Sequence, residues 1–373
     1  MIRISRAHLN VEAHSHQGMT GKNNEDRYAV ASFHVGEKDR TPVLFAVLAD
    51  GIGGHKGGEV AAELAVNHIM QNAARCDGKF SRFVIEQAVN EASGAIASHS
   101  ANNESLKGMG ATCAVAWIID NKLHTAYVGD SRIYLLRGGR IQQLTIDHSW
   151  VQEAIEKGIL TPEAAREHPN VHVIRRYLGS PVPPEPDFRL NLFDGEGAHH
   201  AENNQGTELQ PNDVVLLCTD GLTDLVWNDE ILEIVRTRSN LKEASRALVN
   251  VANERGGHDN ITVILIGVPA DYKPKTETRK KESDWLPWVI GALTGLVFVV
   301  IVGSILTYNL LRRNGTMTST PAVSPASPTP VATVTPLSTP TPTIIPTETA
   351  SPDVILLEPT VTLTPWPTNT TMP

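Results

Sequence analysis

Five aspartates, Asp26, Asp50, Asp130, Asp220 and Asp259, each stand where an apolar, strand-like run begins or ends, and Glu25 adjoins the first. Carboxylates gathered from several strand ends can hold hard divalent cations, and all-oxygen ligation suits Mn²⁺ or Mg²⁺ rather than zinc. Residues 43–62, VLFAVLADGIGGHKGGEVAA, show the device most clearly. An unbroken apolar run delivers Asp50 at its end, and glycines at 51, 53, 54, 57 and 58 form turns before a helical pattern starts. Glycine lets backbone approach a ligand closely, so the Gly51 carbonyl can join the Asp50 side chain on a cation. Taken alone, Asp50-Gly51 is equally ordinary turn chemistry. Repetition of the arrangement is what favours a metal centre.

The elements that must position these groups read as an α+β pattern. Residues 1–34 suggest two short strands around the polar turn GMTGKNNED. Residues 59–74 and 80–96 have helical periodicity, the first with Val60, Leu64, Ile69 and Met70 on its apolar face. Runs 112–119, 122–128 and 132–136 predict three strands in an antiparallel meander, with Asp130 in its second turn. Residues 147–179 read as polar helices with Trp150, Val151, Ile155 and Leu160 as their apolar side and Pro162 at a helix start. The stretch between Phe193 and Leu209 lacks periodicity and reads as a solvated loop, in which His199 and His200 have no partner at metal-ligand spacing. A strand over 211–219, helices over 229–236 and 241–255, and a last strand after Asn260 complete the pattern.

Seven short motifs occur in order: NED (24–26), DGIGGHKGGE (50–59), GMGAT (108–112), VGDSRIY (128–134), LTIDHSWV (144–151), CTDGLTD (218–224) and HDNITVI (258–264). Over residues 8–268 this set resembles the protein phosphatase 2C family of metal-dependent serine/threonine phosphatases, in its bacterial form. The resemblance implies two stacked antiparallel β-sheets flanked by helices, an α-β-β-α sandwich, with the metals at one edge. It implies phosphoserine and phosphothreonine hydrolysis by attack of a metal-bridging water. It also implies Mn²⁺ or Mg²⁺ as two ions with room for a third. Asp50 and Asp259 would be direct ligands, Asp50 and the Gly51 carbonyl would touch the second ion, and Asp130 with Asp220 would hold the third. Asp220 also belongs to the all-oxygen set, and Glu25 and Asp26 would order waters. Residues 147–179 resemble the family's mobile flap. Where the family has an arginine that holds the substrate phosphate, this chain has Gly21, and Lys22 is the neighbouring candidate. The family's histidine after the metal-binding Asp-Gly is replaced by Ile52, and its general-acid role does not pass to His55. His68 falls within a helical pattern and reads as structural.

Composition divides the chain of 373 residues. Residues 1–268 read as the catalytic domain, 269–284 as a basic linker, 285–311 as a transmembrane segment and 312–373 as a disordered Pro/Thr-rich tail. Residues 286–308 carry no charge, and 23 residues suffice to cross a hydrocarbon core of about 30 Å. Trp285, Trp288 and Tyr308 suit the interfacial belts. Five basic residues precede the segment (Lys273, Lys275, Arg279, Lys280, Lys281) against Arg312 and Arg313 beyond it, which predicts a cytoplasmic catalytic domain and an external tail. The N-terminus has no secretory h-region. The tail, with runs such as TPTPT (339–343), lacks the apolar surface to offset the entropy of ordering.

A net charge of −9 without a basic stripe argues against nucleic acid as a partner. Cys76, Cys113 and Cys218 read as reduced residues with no zinc-site spacing. The resemblance implies phosphorylated proteins as partners, with a serine/threonine kinase and its substrates, and the uncharged segment implies membrane lipid through one helix. Two further readings stay open on the sequence: a noncatalytic membrane signalling protein on a phosphatase scaffold, and a stalked wall-interaction protein.

Overall fold

In the computed structural model, which describes residues 1–53, 57–273 and 301–308, the elements follow in order. They begin with β1 (Ile2–Ile4), β2 (Asn10–His16), β3 (Arg27–His34), β4 (Pro42–Ala49), β5 (Gly51–Ile52), α1 (Gly57–Arg75) and α2 (Arg82–Asn102). Next come β6 (Gly110–Ala111), β7 (Cys113–Ile119), β8 (Lys122–Val128), β9 (Arg132–Arg137), β10 (Arg140–Gln143), α3 (Trp150–Glu156) and α4 (Pro162–Arg166). The last are α5 (Ala198–Asn203), β11 (Thr207–Glu208), β12 (Val214–Cys218), α6 (Asp220–Thr223), α7 (Asn228–Thr237), α8 (Leu241–Glu254) and β13 (Ile261–Gly267). One sheet has the order β1-β3-β4-β7-β8-β11, a second β10-β9-β12-β13-β2, and β5 pairs with β6. All the registered pairs are antiparallel.

The unbroken apolar runs exist because their strands are covered on both faces. Residues 43–49 of β4 are fully buried. Val43, Phe45, Val47 and Ala49 pack with α1 and α2, whereas Leu44, Ala46 and Leu48 meet Ile133, Leu135, Val215, Leu217, Ile264 and Ile266 of the second sheet. Beyond that sheet, Ile261, Val263 and Leu265 of β13 pack with Ile231 of α7 and Ala244, Leu248 and Val249 of α8. Three apolar layers thus alternate with helix, sheet, sheet and helix. Each fully buried Leu, Ile or Phe side chain contributes about 1.5–3 kcal/mol. Trp117 is buried in the first layer, edge-on to Phe45 and Phe80.

The expected three-strand meander does not form. β7 and β8 pair in the first sheet, but β9 pairs with β10 and β12 in the second. The chain changes sheets at Gly129, whose φ of +104° lies in the region that favours glycine and whose added Cβ would sit 2.6 Å from Thr112 Cγ2. Asp130 is therefore placed at the seam between the sheets. Residues 1–34 contain three strands, because 10–16 forms the far edge of the second sheet against β13. The stretch 193–209 is also more ordered than a loop: it contains α5 and β11. Asn204 Nδ2 donates to the Leu190 carbonyl and to Glu196, and Ala201 is buried beneath them. These side-chain bonds leave no periodic trace in sequence.

Residues Met1–Lys275 form one compact unit and Thr276–Pro373 a second. Of the transmembrane segment expected at 285–311, only 301–308 lie within the described residues, as a helical stretch with exposed side chains. Among the described residues, no helix is long and apolar enough to cross a membrane. Most of the linker (274–284), the tail (312–373) and His55 lie outside the described residues.

Candidate active site

The acidic groups predicted from sequence come from five strand ends at the seam between the sheets. Asp26 precedes β3, Asp50 follows β4, Asp130 joins β8 to β9, Asp220 follows β12 and Asp259 lies just before β13. The backbone of Asp50 is fixed on both sides by Thr112: its N–H donates to Thr112 Oγ1 at 2.9 Å, and its carbonyl accepts from the Thr112 N–H at 2.9 Å. Thr112 Oγ1 in turn lies 2.7 Å from Ser131 Oγ, beside Asp130. Gly51 and Gly58 approach so closely that a Cβ on Gly51 would lie 2.2 Å from the Gly58 carbonyl oxygen, and one on Gly58 would lie 2.7 Å from Glu25 Oε2. Both glycines are thus required sterically, and Glu25 is packed against the Asp50 turn.

Mutual repulsion and burial mark these carboxyls. Burial, then Asp26, Asp220, Asp130 and Asp259, raise the Asp50 carboxyl well above its ordinary range. Asp26 is pushed up to about 7 by burial, with Asp220 and Asp259 adding to the shift, and Asp220 to about 7 by burial, then Asp224 and Asp259. Burial, Asp220 and Asp147 raise Asp130. Glu25 is pushed up to about 7 by burial and Asp259, against the opposing pull of Lys22. Asp26 Oδ2 accepts from Thr219 Oγ1 at 3.0 Å, but Asp26 Oδ1 and Asp220 Oδ1 are buried without a hydrogen-bond partner. Buried acceptors of this kind call for an ion or a water. Clustered carboxyls, two orphaned oxygens and the steric closeness at Gly51 and Gly58 fit a divalent cation centre.

Several residues not singled out from sequence hold the site. Asn260 Oδ1 accepts from the Glu25 N–H at 2.6 Å, and its Nδ2 donates to the carbonyls of Gln17 and Asn23, so one side chain braces the acidic turn against β13. Thr219 Oγ1 bridges Asp26 and the Thr262 N–H. Arg132 grips Asp147, with Nη2 donating to Oδ2 at 2.6 Å, and so ties the root of 147–179 to β9. The HDN and CTDG motifs contain Asn260 and Thr219, yet residue type alone does not reveal which backbone groups they brace.

Lys22 and Asp259 line a cleft of about 880 Å³ together with Arg166, His172, Asp224 and Trp227. Its far wall is the segment 147–179, which is less helical than expected: α3 and α4 are short, capped by Ser149 and by Thr161 with Pro162 after it. Trp150 closes the segment on itself by donating its N–H to the Val173 carbonyl at 2.8 Å and stacking on His168. Gly21 has a φ of +75° with open space around it. His199 and His200 lie on α5 as exposed residues facing each other, and none of the three cysteines is disulfide-bonded.

The family model described as Protein phosphatase 2C matches residues 13–265. The chain is similar to the serine/threonine phosphatase stp of Listeria monocytogenes, at 32% identity over 262 residues covering 69% of this chain and 95% of the relative. It is similar to the protein phosphatase PhpP of Streptococcus pneumoniae, at 34% over 261 residues covering 67% and 94%. Among solved structures it resembles the S. agalactiae serine/threonine phosphatase, with a TM-score of 0.61 at 30% identity covering 70% of this chain and 100% of that one. The catalytic domain of the phosphatase PstP in complex with two manganese ions gives a TM-score of 0.56 at 32% identity, covering 70% and 98%.

Proposed function

Because the chain belongs to the protein phosphatase 2C family and is a serine/threonine protein phosphatase, we propose that its strand-end carboxylates hold two Mn²⁺ or Mg²⁺ ions at which phosphoserine and phosphothreonine are hydrolysed. Asp50, the Gly51 carbonyl, Asp220 and Asp259 are the ligands in this reading, and Asp130 with Asp220 are the groups available to a third ion. The observation that carries it is the convergence of mutually repelling, partly orphaned carboxyls at the sheet seam. The PstP relative with two manganese ions supports the choice of metal. Bound divalent cations supply Lewis-acid stabilisation of the phosphoryl oxygens and acidify water. The chain's own groups do the positioning. Asn260 and Thr219 hold Glu25 and Asp26 rigidly, and Asp26 Oδ1 is free to accept a proton from a water. Thr112 keeps Asp50 in register at the mouth of β4.

Purified residues 1–275, stripped of metal, are expected to release phosphate from a phosphothreonine peptide when Mn²⁺ is added and to stop when EDTA is added. Release that is indifferent to EDTA would overturn the metal assignment.

We propose Lys22 as a basic group that meets the substrate phosphate, a reading supported by its being exposed, lining the cleft and forming no ion pair among the described residues. A charge-assisted contact is worth about 1.5–3 kcal/mol, so Lys22→Ala should lower kcat/KM roughly ten- to a hundredfold, mainly through KM. Gly21→Arg has room for its side chain, but the left-handed backbone costs an ordinary residue about 1–2 kcal/mol. Any gain in KM should therefore come with a lower melting temperature. A kinetically silent Lys22→Ala would show that the metals alone hold the phosphate.

We also propose a single membrane-spanning segment at 285–311 that anchors the enzyme with its catalytic domain in the cytoplasm, where it opposes a serine/threonine kinase, and its tail outside. The basic bias before the segment supports this orientation. In intact cells, a cysteine at Thr339 should react with an impermeant maleimide and one at Lys38 should not. The opposite pattern would reverse the topology.

A further inference from the structure

We propose that Trp227 anchors a subsite that takes a large apolar side chain, aromatic or aliphatic, from the phosphoprotein substrate a few residues from its phosphorylated position. The proposal deepens the phosphatase reading above and rests on it. A substrate that is itself a polypeptide must lay the chain flanking its phosphorylated residue on the surface around the catalytic centre, and the cleft that Asp259 lines offers that surface. Val151, Ile155, Pro162, Val171, Leu225 and Trp227 line the same cleft, so it presents apolar groups as well as charge.

Three observations single out Trp227. It stands at the N-cap of α7, where a Ser, Thr, Asp or Asn side chain would accept from a free N–H, and an indole has no acceptor to offer. Local helix chemistry therefore does not account for a tryptophan here, and such departures are expected at functional positions. The residue is also held firmly. The Arg166 guanidinium lies 3.7 Å from the centroid of its ring and is itself fixed by donating to the Thr223 carbonyl at 2.6 Å. The Trp227 N–H donates to Glu230 Oε2 at 3.0 Å, and Arg255 grips both oxygens of Glu230, at 2.6 and 2.8 Å. Yet with Arg166 against its ring, Trp227 remains 52% exposed, so this bracing serves no core contact. A rigid, exposed indole in the wall of a cleft offers apolar area with little left to order on binding, which is the character of an anchor for a partner's side chain. Glu163 and Asp229 line the cleft too, so a substrate with a flanking Lys or Arg is the rival occupant.

The test uses the full chain with Mn²⁺ and phosphothreonine peptides of otherwise alanine sequence, in which Phe, Leu, Lys or Asp is placed at each neighbouring position in turn. Each protein's rate with p-nitrophenyl phosphate, which has no flanking chain, is its own reference. Wild type should favour Phe or Leu over Ala at one position by about tenfold or more in kcat/KM, through KM. Trp227→Ala should erase that preference and Trp227→Phe should keep most of it. The ring is exposed, so neither replacement opens the core, and melting temperatures check this. No preference at any position, a preference for Lys instead, or an apolar preference that survives Trp227→Ala would overturn the proposal. Affinities for the same peptides in EDTA, where turnover stops, should follow the same order. That order in a protein that releases no phosphate would uphold the subsite and sink the metal-centred reading, and phosphate release without the apolar preference would do the reverse.

Discussion

Asp50→Asn is expected to lower Mn²⁺-dependent phosphopeptide hydrolysis by about a thousandfold or more while raising the melting temperature of the metal-free protein by a few degrees. Loss of one anionic ligand from a metal centre forfeits several kcal/mol of transition-state stabilisation, and about 4 kcal/mol is a thousandfold in rate. The fold should survive, because Asp50 is held through its backbone by Thr112, and asparagine retains both of those bonds. The gain in metal-free stability follows from the same crowding that makes the site. Asp26, Asp220, Asp130 and Asp259 all oppose a negative charge on Asp50, and a neutral amide relieves them. A domain of this size shifts by about 2–4 °C per kcal/mol. The measurement is a kinetic assay paired with calorimetry in EDTA. Near-normal turnover would remove Asp50 from the centre, and a sharply lowered melting temperature would show that its role is structural.

Without metal, the catalytic unit should lose stability as pH rises from 6.5 to 8, and Mn²⁺ should abolish the loss. Asp26 and Asp220 have folded values near 7 against an ordinary 3.8. For an acid whose folded value is raised, the folded state binds more protons than the unfolded one between the two values. Its contribution is therefore greatest below about 3.8 and is lost as pH climbs through about 7. Partly buried His8, His14 and His124 and buried His148 have lowered values and act with the opposite sign, but only up to their unfolded value of 6.5. Above that pH the carboxyls dominate. Asp26 and Asp220 together account for roughly 1–2 kcal/mol across the window, with Asp50 and Asp130 adding in the same direction. At a hundredfold excess over its dissociation constant, one Mn²⁺ restores about 2.7 kcal/mol. Melting temperatures taken at several pH values, with EDTA and with Mn²⁺, decide the matter. A metal-free protein that is equally stable at pH 6.5 and pH 8 would mean that these carboxyls do not share a buried cluster.

The motifs were legible because metal chemistry needs particular residue types at strand ends, and those ends are marked in sequence by abrupt changes from apolar to polar. Long apolar runs such as 43–49 similarly disclosed strands covered on both faces. The route of the chain between sheets was not legible. A turn such as Gly129-Asp130-Ser131 serves equally for a hairpin or for a crossing, and only the partners of β9 distinguish them. The order in 193–209 was hidden for a related reason, since it rests on bonds from Asn204 to groups distant along the chain.

What the amino-acid sequence by itself determined was the identity and order of the acidic groups, the strands that deliver them and the apolar segment beyond residue 285. These are local properties, written in composition and period. Tertiary structure alone decided that Asn260 and Thr219 brace Glu25 and Asp26, and that Gly21 has a left-handed backbone. It also decided that His172 faces Asp224 across the cleft. Such contacts join residues as much as 243 positions apart, and their energies depend on distances that no local pattern encodes.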